Sequence, residues 1–173
     1  MDLQVNVAQL LKEQVGGTRI VDIDAQQLEL EDAGPASVTG KVTLTRTDMG
    51  VWASGAVGIE VKAECSRCVT PFDLLLKVKV DEVYLPLIEV NTGAKLRYES
   101  LEDLDALKID EHHVIDFTEA FRQYLLAAMP MAPVCKDDCK GICSQCGAHL
   151  NEYVCDCAPE LDPRWEKLRQ LLN

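Results

Sequence analysis

The chain has 173 residues, 47% of them hydrophobic, enough for one globular domain, or for one domain with a small cysteine-rich appendage. Seventeen basic residues against twenty-nine acidic ones give a formal charge of −12, which repels phosphate backbones and disfavours autonomous nucleic-acid binding. The longest apolar stretch, Leu125 to Cys135, is broken by two prolines and falls short of the roughly 20 residues a bilayer helix requires; the opening Met1-Asp2-Leu3-Gln4 has neither a basic flank nor an apolar signal core, so a cytoplasmic location is expected.

In chain order, Asn6 followed by Gln9 predicts a variant capping box and a short helix from Val7 to about Val15, closed by Gly16-Gly17. Val7, Leu10 and Leu11 would form its buried stripe. From Ile20 to Ile23, Leu28 to Leu30 and Val38 to Thr45 the apolar period shifts to two, with Asp32, Gly34 and Pro35 as separators, which predicts strands. The clearest alternation sets Val57, Ile59, Val61, Ala63 and Cys65 on one face against Gly58, Glu60, Lys62 and Glu64 on the other. A second run, Phe72, Leu74, Leu76, Val78 and Val80, follows Pro71. Between them Cys65-Ser66-Arg67-Cys68 is expected at a hairpin tip. The fold class is α+β: an antiparallel sheet of about five to seven strands, with curling toward a barrel as an open possibility, covered by helices.

Beyond Pro86 the pattern weakens, and an acidic loop at about 81–115 is expected. From Asp81 to Glu119 there are eleven acidic and three basic residues, a net of −8. Asp116 with Glu119 marks another helix start, and Phe117, Phe121, Tyr124, Leu125 and Ala128 share one face that should cover the sheet. Pro130 and Pro133 stop that helix. The expected division is a sheet-and-helix domain at 1–134 and a cysteine-rich tail at 135–173, ending in a short helix with Asp162 as cap, Pro163 in the first turn, and Trp165, Leu168 and Leu172 facing inward.

Eight cysteines in a chain read as cytoplasmic point away from disulfides and toward metal or redox chemistry. Two residues between cysteines let neighbouring thiolates reach one tetrahedral ion, and a following glycine permits the tight turn. Cys143-Ser144-Gln145-Cys146-Gly147 has this form, and its natural partner is Cys155-Asp156-Cys157. The remaining Cys65, Cys68, Cys135 and Cys139 would form a second site tying the hairpin tip to the end of the long helix, with Cys139 an alternative ligand of the tail site. Two zinc ions in structural four-thiolate sites are expected, and eight thiolates with two Zn²⁺ leave a charge of about −16. Competing readings are buried free cysteine for Cys65, an iron-sulfur cluster, and a redox pair, for which no thioredoxin-like pattern surrounds Cys65 or Cys143.

Catalysis finds little support in the residues. Closed sulfur tetrads are structural, whereas hydrolytic zinc keeps an open position. His112-His113 reads as an exposed pair ahead of a helix and His149 as a reserve ligand in the tail loop. No phosphate loop or nucleophile elbow is present in the sequence, so no enzymatic activity is expected.

The ordered set Asn6-Val7-Ala8-Gln9-Leu10-Leu11, Cys65-Ser66-Arg67-Cys68 with Pro71-Phe72, Cys139-Lys140-Gly141-Ile142-Cys143-Ser144-Gln145-Cys146-Gly147-Ala148-His149-Leu150-Asn151, and Asp162-Pro163-Arg164-Trp165 with Leu168 resembles the YceD family. Ser144 and His149 stand where the familiar tail pattern more often has proline and asparagine. The resemblance implies a role in accumulation of 23S ribosomal RNA; the family's gene commonly neighbours that of a small zinc-bearing large-subunit ribosomal protein. It implies no catalytic residue. Together with the charge, it makes a basic ribosomal protein or ribosome-assembly factor the expected partner. The alternatives are direct rRNA contact by Lys136, Lys140, Arg164, Lys167 and Arg169, or an RNA-processing enzyme.

Overall fold

The computed structural model describes residues 3–30, 34–96, 98, 107–157 and 164. The chain divides into two compact units, Met1–Ala63 with Asp73–Met131, and Glu64–Phe72 with Ala132–Asn173. Among the described residues no helix is long and apolar enough to cross a membrane.

The chain runs β1 (Gln4–Asn6), α1 (Ala8–Lys12), β2 (Thr18–Leu30), β3 (Gly34–Arg46), β4 (Val51–Glu64), β5 (Pro71–Pro86), β6 (Leu107–Ile109), β7 (Val114–Asp116) and α2 (Thr118–Ala128). The strands form one curled, open sheet in the order β1-β7-β6-β5-β4-β3-β2. Alternation explains the long strands. In β4, Val57, Ile59 and Val61 are buried while Glu60 and Lys62 are exposed, because successive side chains of a strand face opposite ways. In β5, Leu76, Val78 and Val80 are buried while Lys77 and Lys79 are exposed.

The expectation of a wholly antiparallel sheet needs one correction: β5 and β6 pair in parallel, with Tyr84 opposite Leu107 and Pro86 opposite Ile109. The chain between Pro86 and Leu107 is long enough for the crossover that parallel pairing demands. The segment read as an acidic loop is therefore partly strand. Asp81–Pro86 belongs to β5, Ile88 bridges Lys95, and Leu107–Ile109 and Val114–Asp116 are β6 and β7. Glu102, Asp103 and Asp105 lie outside the described residues, as does the C-terminal helix expected after Asp162.

Both helices begin by one local device. Strand β1 pairs antiparallel with β7, Gln4 facing Asp116 and Asn6 facing Val114. At the end of each strand an Asx side chain turns the chain: Asn6 Oδ1 accepts the Ala8 N–H at 3.0 Å and Asp116 Oδ1 accepts the Thr118 N–H at 2.8 Å. The intervening Val7 and Phe117 are buried. The turning residues are the expected caps, but they bond the second following amide and each helix starts one residue later than expected; α1 stops at Lys12, before the expected Val15, because Glu13 is already extended.

The core is continuous from sheet to helices, with Val38, Val42, Leu44, Ile59, Val80, Ile109 and Ile115 packed in the same cluster as Leu10, Phe117, Phe121 and Leu125. Tyr84 meets Phe117 edge-on at 5.4 Å between ring centroids, and Phe117 stacks on Phe121 at 5.5 Å. Burial holds the Tyr84 hydroxyl in its protonated form, with the Glu82 carboxylate adding to the effect.

Since Phe121 is fully enclosed, Phe121→Ala is expected to destabilise the sheet unit by about 3–5 kcal/mol. A urea melt followed by far-UV circular dichroism measures this, and an unchanged midpoint would show that the aromatic stack does not hold the helix.

Candidate metal centre

Every cysteine falls in one of two sets of four, and all eight are free thiols. Cys65, Cys68, Cys135 and Cys139 form one set, Cys143, Cys146, Cys155 and Cys157 the other, and within each set the sulfurs lie within 4.8 Å of one another. Cys139, left open by the spacing, sits with Cys65 at 3.8 Å between sulfurs. Both sets lie in the second unit.

The first set is built from the β4–β5 connection and the chain after α2. The Cys65 N–H donates to Thr70 O and the Val69 N–H to Cys65 O, folding 65–70 into a tight loop. Three contacts join that loop to the later segment. The Ser66 N–H donates to Pro133 O at 2.8 Å, and Arg67 Nη1 donates to the carbonyls of Asp137 and Cys139, each at 3.1 Å. Gly141, at φ +78°, passes so close that a Cβ there would lie 2.9 Å from Arg67 O. Cys65, Cys68 and Cys139 are buried, packed by Phe72 and Val134.

The second set hangs on an antiparallel bridge between Ile142 and His149, with the Cys143 N–H on Ala148 O and the Leu150 N–H on Gly141 O. Asn151 connects the two sets: its Oδ1 accepts the Lys140 N–H at 2.9 Å and its Nδ2 donates to the Cys139 sulfur at 3.3 Å. His149 does not join the sulfurs; its Nε2 meets Thr70 Oγ1 at 2.9 Å, and Thr70 Oγ1 lies 3.3 Å from the Cys68 sulfur. His113 stands apart in the β6–β7 turn at φ +61°.

The two C-x2-C turns share one geometry. Gly147 donates its N–H to Cys143 O at 2.9 Å and Val69 donates its N–H to Cys65 O at 2.8 Å, with both residues at positive φ, +73° and +59°. The glycine adopts this freely, whereas a β-branched residue there is strained.

Sulfur spacing fits a single ion. Metal–sulfur bonds of about 2.3 Å at tetrahedral angles place sulfurs about 3.8 Å apart; here they are 3.8 and 3.7 Å in the first set and 3.4 Å twice in the second. Ionisation fits too. Burial acts to raise Cys65, yet the N–H groups of Cys135, Cys68 and Arg67 bring it down to about 5. Burial and hydrogen bonds to Cys65, Cys68 and Cys139 push Cys135 up to about 12. In the second set the N–H groups of Cys146 and Gln145 lower Cys143 to about 6, and bonds to Cys155 and Cys146 raise Cys157 to about 12. Four thiols this close share their protons, and a divalent cation supplies the charge that lets all four ionise.

Arg67, Gly141 and Asn151 support the sulfurs, yet their sequence signal is only their place inside the cysteine motifs. Polar residues holding metal ligands by their backbone and sulfur atoms are the usual outer layer of such sites.

An α+β chain with an open sheet and a cysteine-rich unit holding two four-sulfur clusters is the class these features define. A family model described as "Large ribosomal RNA subunit accumulation protein YceD" matches residues 53–172, a span containing all eight cysteines. The chain belongs to the YceD family. An uncharacterized protein of Mycobacterium tuberculosis is 29% identical over 124 residues, 72% of this chain and 56% of the relative. Another, of Mycobacterium leprae, is 27% identical over 154 residues, 87% of this chain and 65% of the relative. The chain thus spans roughly half to two thirds of the length of these relatives. The "Large ribosomal RNA subunit accumulation protein YCED homolog 1, chloroplastic" of Arabidopsis thaliana is 37% identical over 46 residues, 27% of this chain and 14% of that protein. No solved structure matches.

The strained Val69 and the crowded Gly141 make opposite predictions. Val69→Gly relieves about 1–3 kcal/mol of backbone strain, partly offset by about 0.5–1 kcal/mol of added chain entropy, and should slow metal loss to a chelator. Gly141→Ala should cost about 1–2 kcal/mol and hasten it; equal release rates in the two variants would contradict this reading of the loop.

Proposed function

We propose that this chain is a non-enzymatic ribosome-biogenesis factor that supports accumulation of 23S ribosomal RNA by holding a basic ribosomal protein or assembly factor, and that two structural zinc ions fold its cysteine-rich unit. Membership of a family described by large-subunit rRNA accumulation carries this reading. Two physical observations support it.

The first is closure. Each cluster supplies four sulfurs within 4.8 Å, which fills a tetrahedral ion and leaves no position for an activated water. A four-iron cluster is disfavoured because each of its thiolates binds a different iron, which spreads the sulfurs further than this. The second is charge. Among the described residues no charged side chain is buried, and Asp81, Asp110, Glu111, Asp116 and Glu119 are exposed, so the charge of −12 attracts a basic surface. Direct rRNA contact is the lesser reading. Lys136 lies 4.0 Å from Asp138, and acidic residues outnumber the basic ones between Cys135 and Asn173.

Native mass spectrometry of metal-replete protein is expected to register two zinc ions, both removed by a strong chelator, and one in Cys146→Ser with the sheet still folded. A mass without metal would end the zinc assignment. Mixed with purified basic large-subunit ribosomal proteins, the protein should form a complex at low salt that weakens at moderate salt. Absence of any complex, or tight salt-sensitive binding to large-subunit RNA fragments by the protein alone, would overturn the partner assignment.

A further inference from the structure

Strand β2 ends the sheet: it pairs with β3 on one side, Thr18 opposite Thr45 through Ile23 opposite Gly40, and no described strand lies on the other. Alternate N–H and C=O groups along such an edge point away from the sheet and are free to pair with another chain. Proteins usually blunt a long edge with charged side chains, proline, short length, a bulge or a covering helix; α2 lies close to β2, yet Ile20, Asp22 and Asp24 stay exposed. The stretch Thr18–Ile23 contains neither lysine nor proline, and the register shift of β2 comes only after it, between Ile23 and Gln26. At the opposite edge β1 has three residues. The open edge is thus confined to one segment.

Side chains along this segment restrict what it accepts. Ile20 is 68% exposed, and Asp22 and Asp24 on either side of Ile23 are also exposed. The one cation of β2, Arg19, is taken by α1: its guanidinium donates to Gln9 Oε1 at 3.2 Å and to Glu13 Oε1 at 2.8 Å. Asp22 faces Lys41 across the β2–β3 pair at 2.9 Å, an exposed contact in competition with water. On the other face Ile23 is buried and Val21 packs half-buried against the core. An added strand would set aliphatic residues beside Val21 and Ile23, extending the core, and Lys or Arg beside Asp22 on the alternate face.

We propose that the Thr18–Ile23 edge of β2 receives an extended basic segment of a protein partner by strand addition, with lysine or arginine alternating with aliphatic residues. The proposal rests on the reading above that the partner is a basic protein, and names where and how that protein docks. Main-chain pairing supplies affinity and alternate side chains supply selectivity.

The test uses the metal-replete chain labelled with ¹⁵N and two synthetic peptides, one alternating lysine and valine, the other with proline in place of every valine. Both carry the same charge, but the second lacks every other N–H and its fixed proline φ holds it out of a regular ladder, so only the first can pair continuously along a strand. The expected result is slowed exchange at the outward-pointing amides of Thr18–Ile23 with the lysine–valine peptide alone, and binding about tenfold weaker in Ile20→Lys, whose new charge repels the peptide from an exposed position. Equal binding of both peptides, or protection elsewhere on the chain, would overturn strand addition. So would protection of these amides in the peptide-free protein together with a dimer mass, which would assign the edge to a second copy. If basic ribosomal proteins are captured while these amides stay unprotected, the edge assignment fails and the partner assignment survives; if the peptide pairs here but no ribosomal protein is captured, the reverse holds.

Discussion

Four sulfurs converging on one centre is the constraint on which the cysteine-rich unit depends. Cys65 meets Cys139 across 74 residues of sequence and Cys68 meets Cys135 across 67, so the first cluster fastens together two segments far apart in the chain, alongside the Ser66 and Arg67 hydrogen bonds. Among the described residues its buried apolar cluster is three cysteines with Phe72, Val134 and Cys135 packed around them. A cluster this small buries little apolar surface against the chain entropy of its segments, and four sulfurs gathered at one centre are where a bound metal would add folding free energy. The sheet unit is of the other sort. It packs the faces of several strands and two helices into one apolar cluster that, among the described residues, contains no cysteine or histidine.

Within the cysteine-rich unit, polar contacts set the sulfurs at their distances. Arg67 spans to the carbonyls of Asp137 and Cys139, Asn151 joins the Lys140 amide to the Cys139 sulfur, and Thr70 stands between Cys68 and His149. Each is an oriented donor or acceptor close to a sulfur. Such groups fix the direction in which a thiolate points, and they do so before any ion is bound. The first cluster is largely enclosed while Cys146 and Cys157 of the second are exposed, so the two centres present different faces to solvent.

Features carried by local periodicity were legible in the amino-acid order. The alternations of Val57–Ala63 and Phe72–Val80 appear as the buried or half-buried faces of β4 and β5, because a half-buried strand writes its geometry directly into the chain. The grouping of cysteines was legible for the same reason, since C-x2-C spacing leaves few ways to place two sulfurs on one centre. Cys139 was not decidable, because its partner is chosen by the approach of Gly141 to Arg67, a tertiary event. Strands β6 and β7 were hidden in acidic sequence: three residues each, they owe their form to pairing with β5 and β1 rather than to their own propensity. The parallel β5–β6 pairing was invisible for a related reason, since direction is set by a crossover and not by any residue in either strand. Helix starts were displaced by one residue because Asn6 and Asp116 act through Asx turns whose bonding, to the second following amide, the capping-box spacing does not describe.

A half-site that must wait follows from the long span of the first cluster. During synthesis at about 5–20 residues per second, Cys68 leaves the ribosomal tunnel roughly 3–13 s before Cys135, and for that interval the nascent chain carries a thiol pair with no tetrad to complete. The second cluster has no such delay, since Cys143 and Cys155 are separated by only 12 residues. A metal ion could therefore close the later-made site almost as soon as it emerges, while the earlier-made pair stays open to oxidants and competing ions until Cys135 and Cys139 arrive.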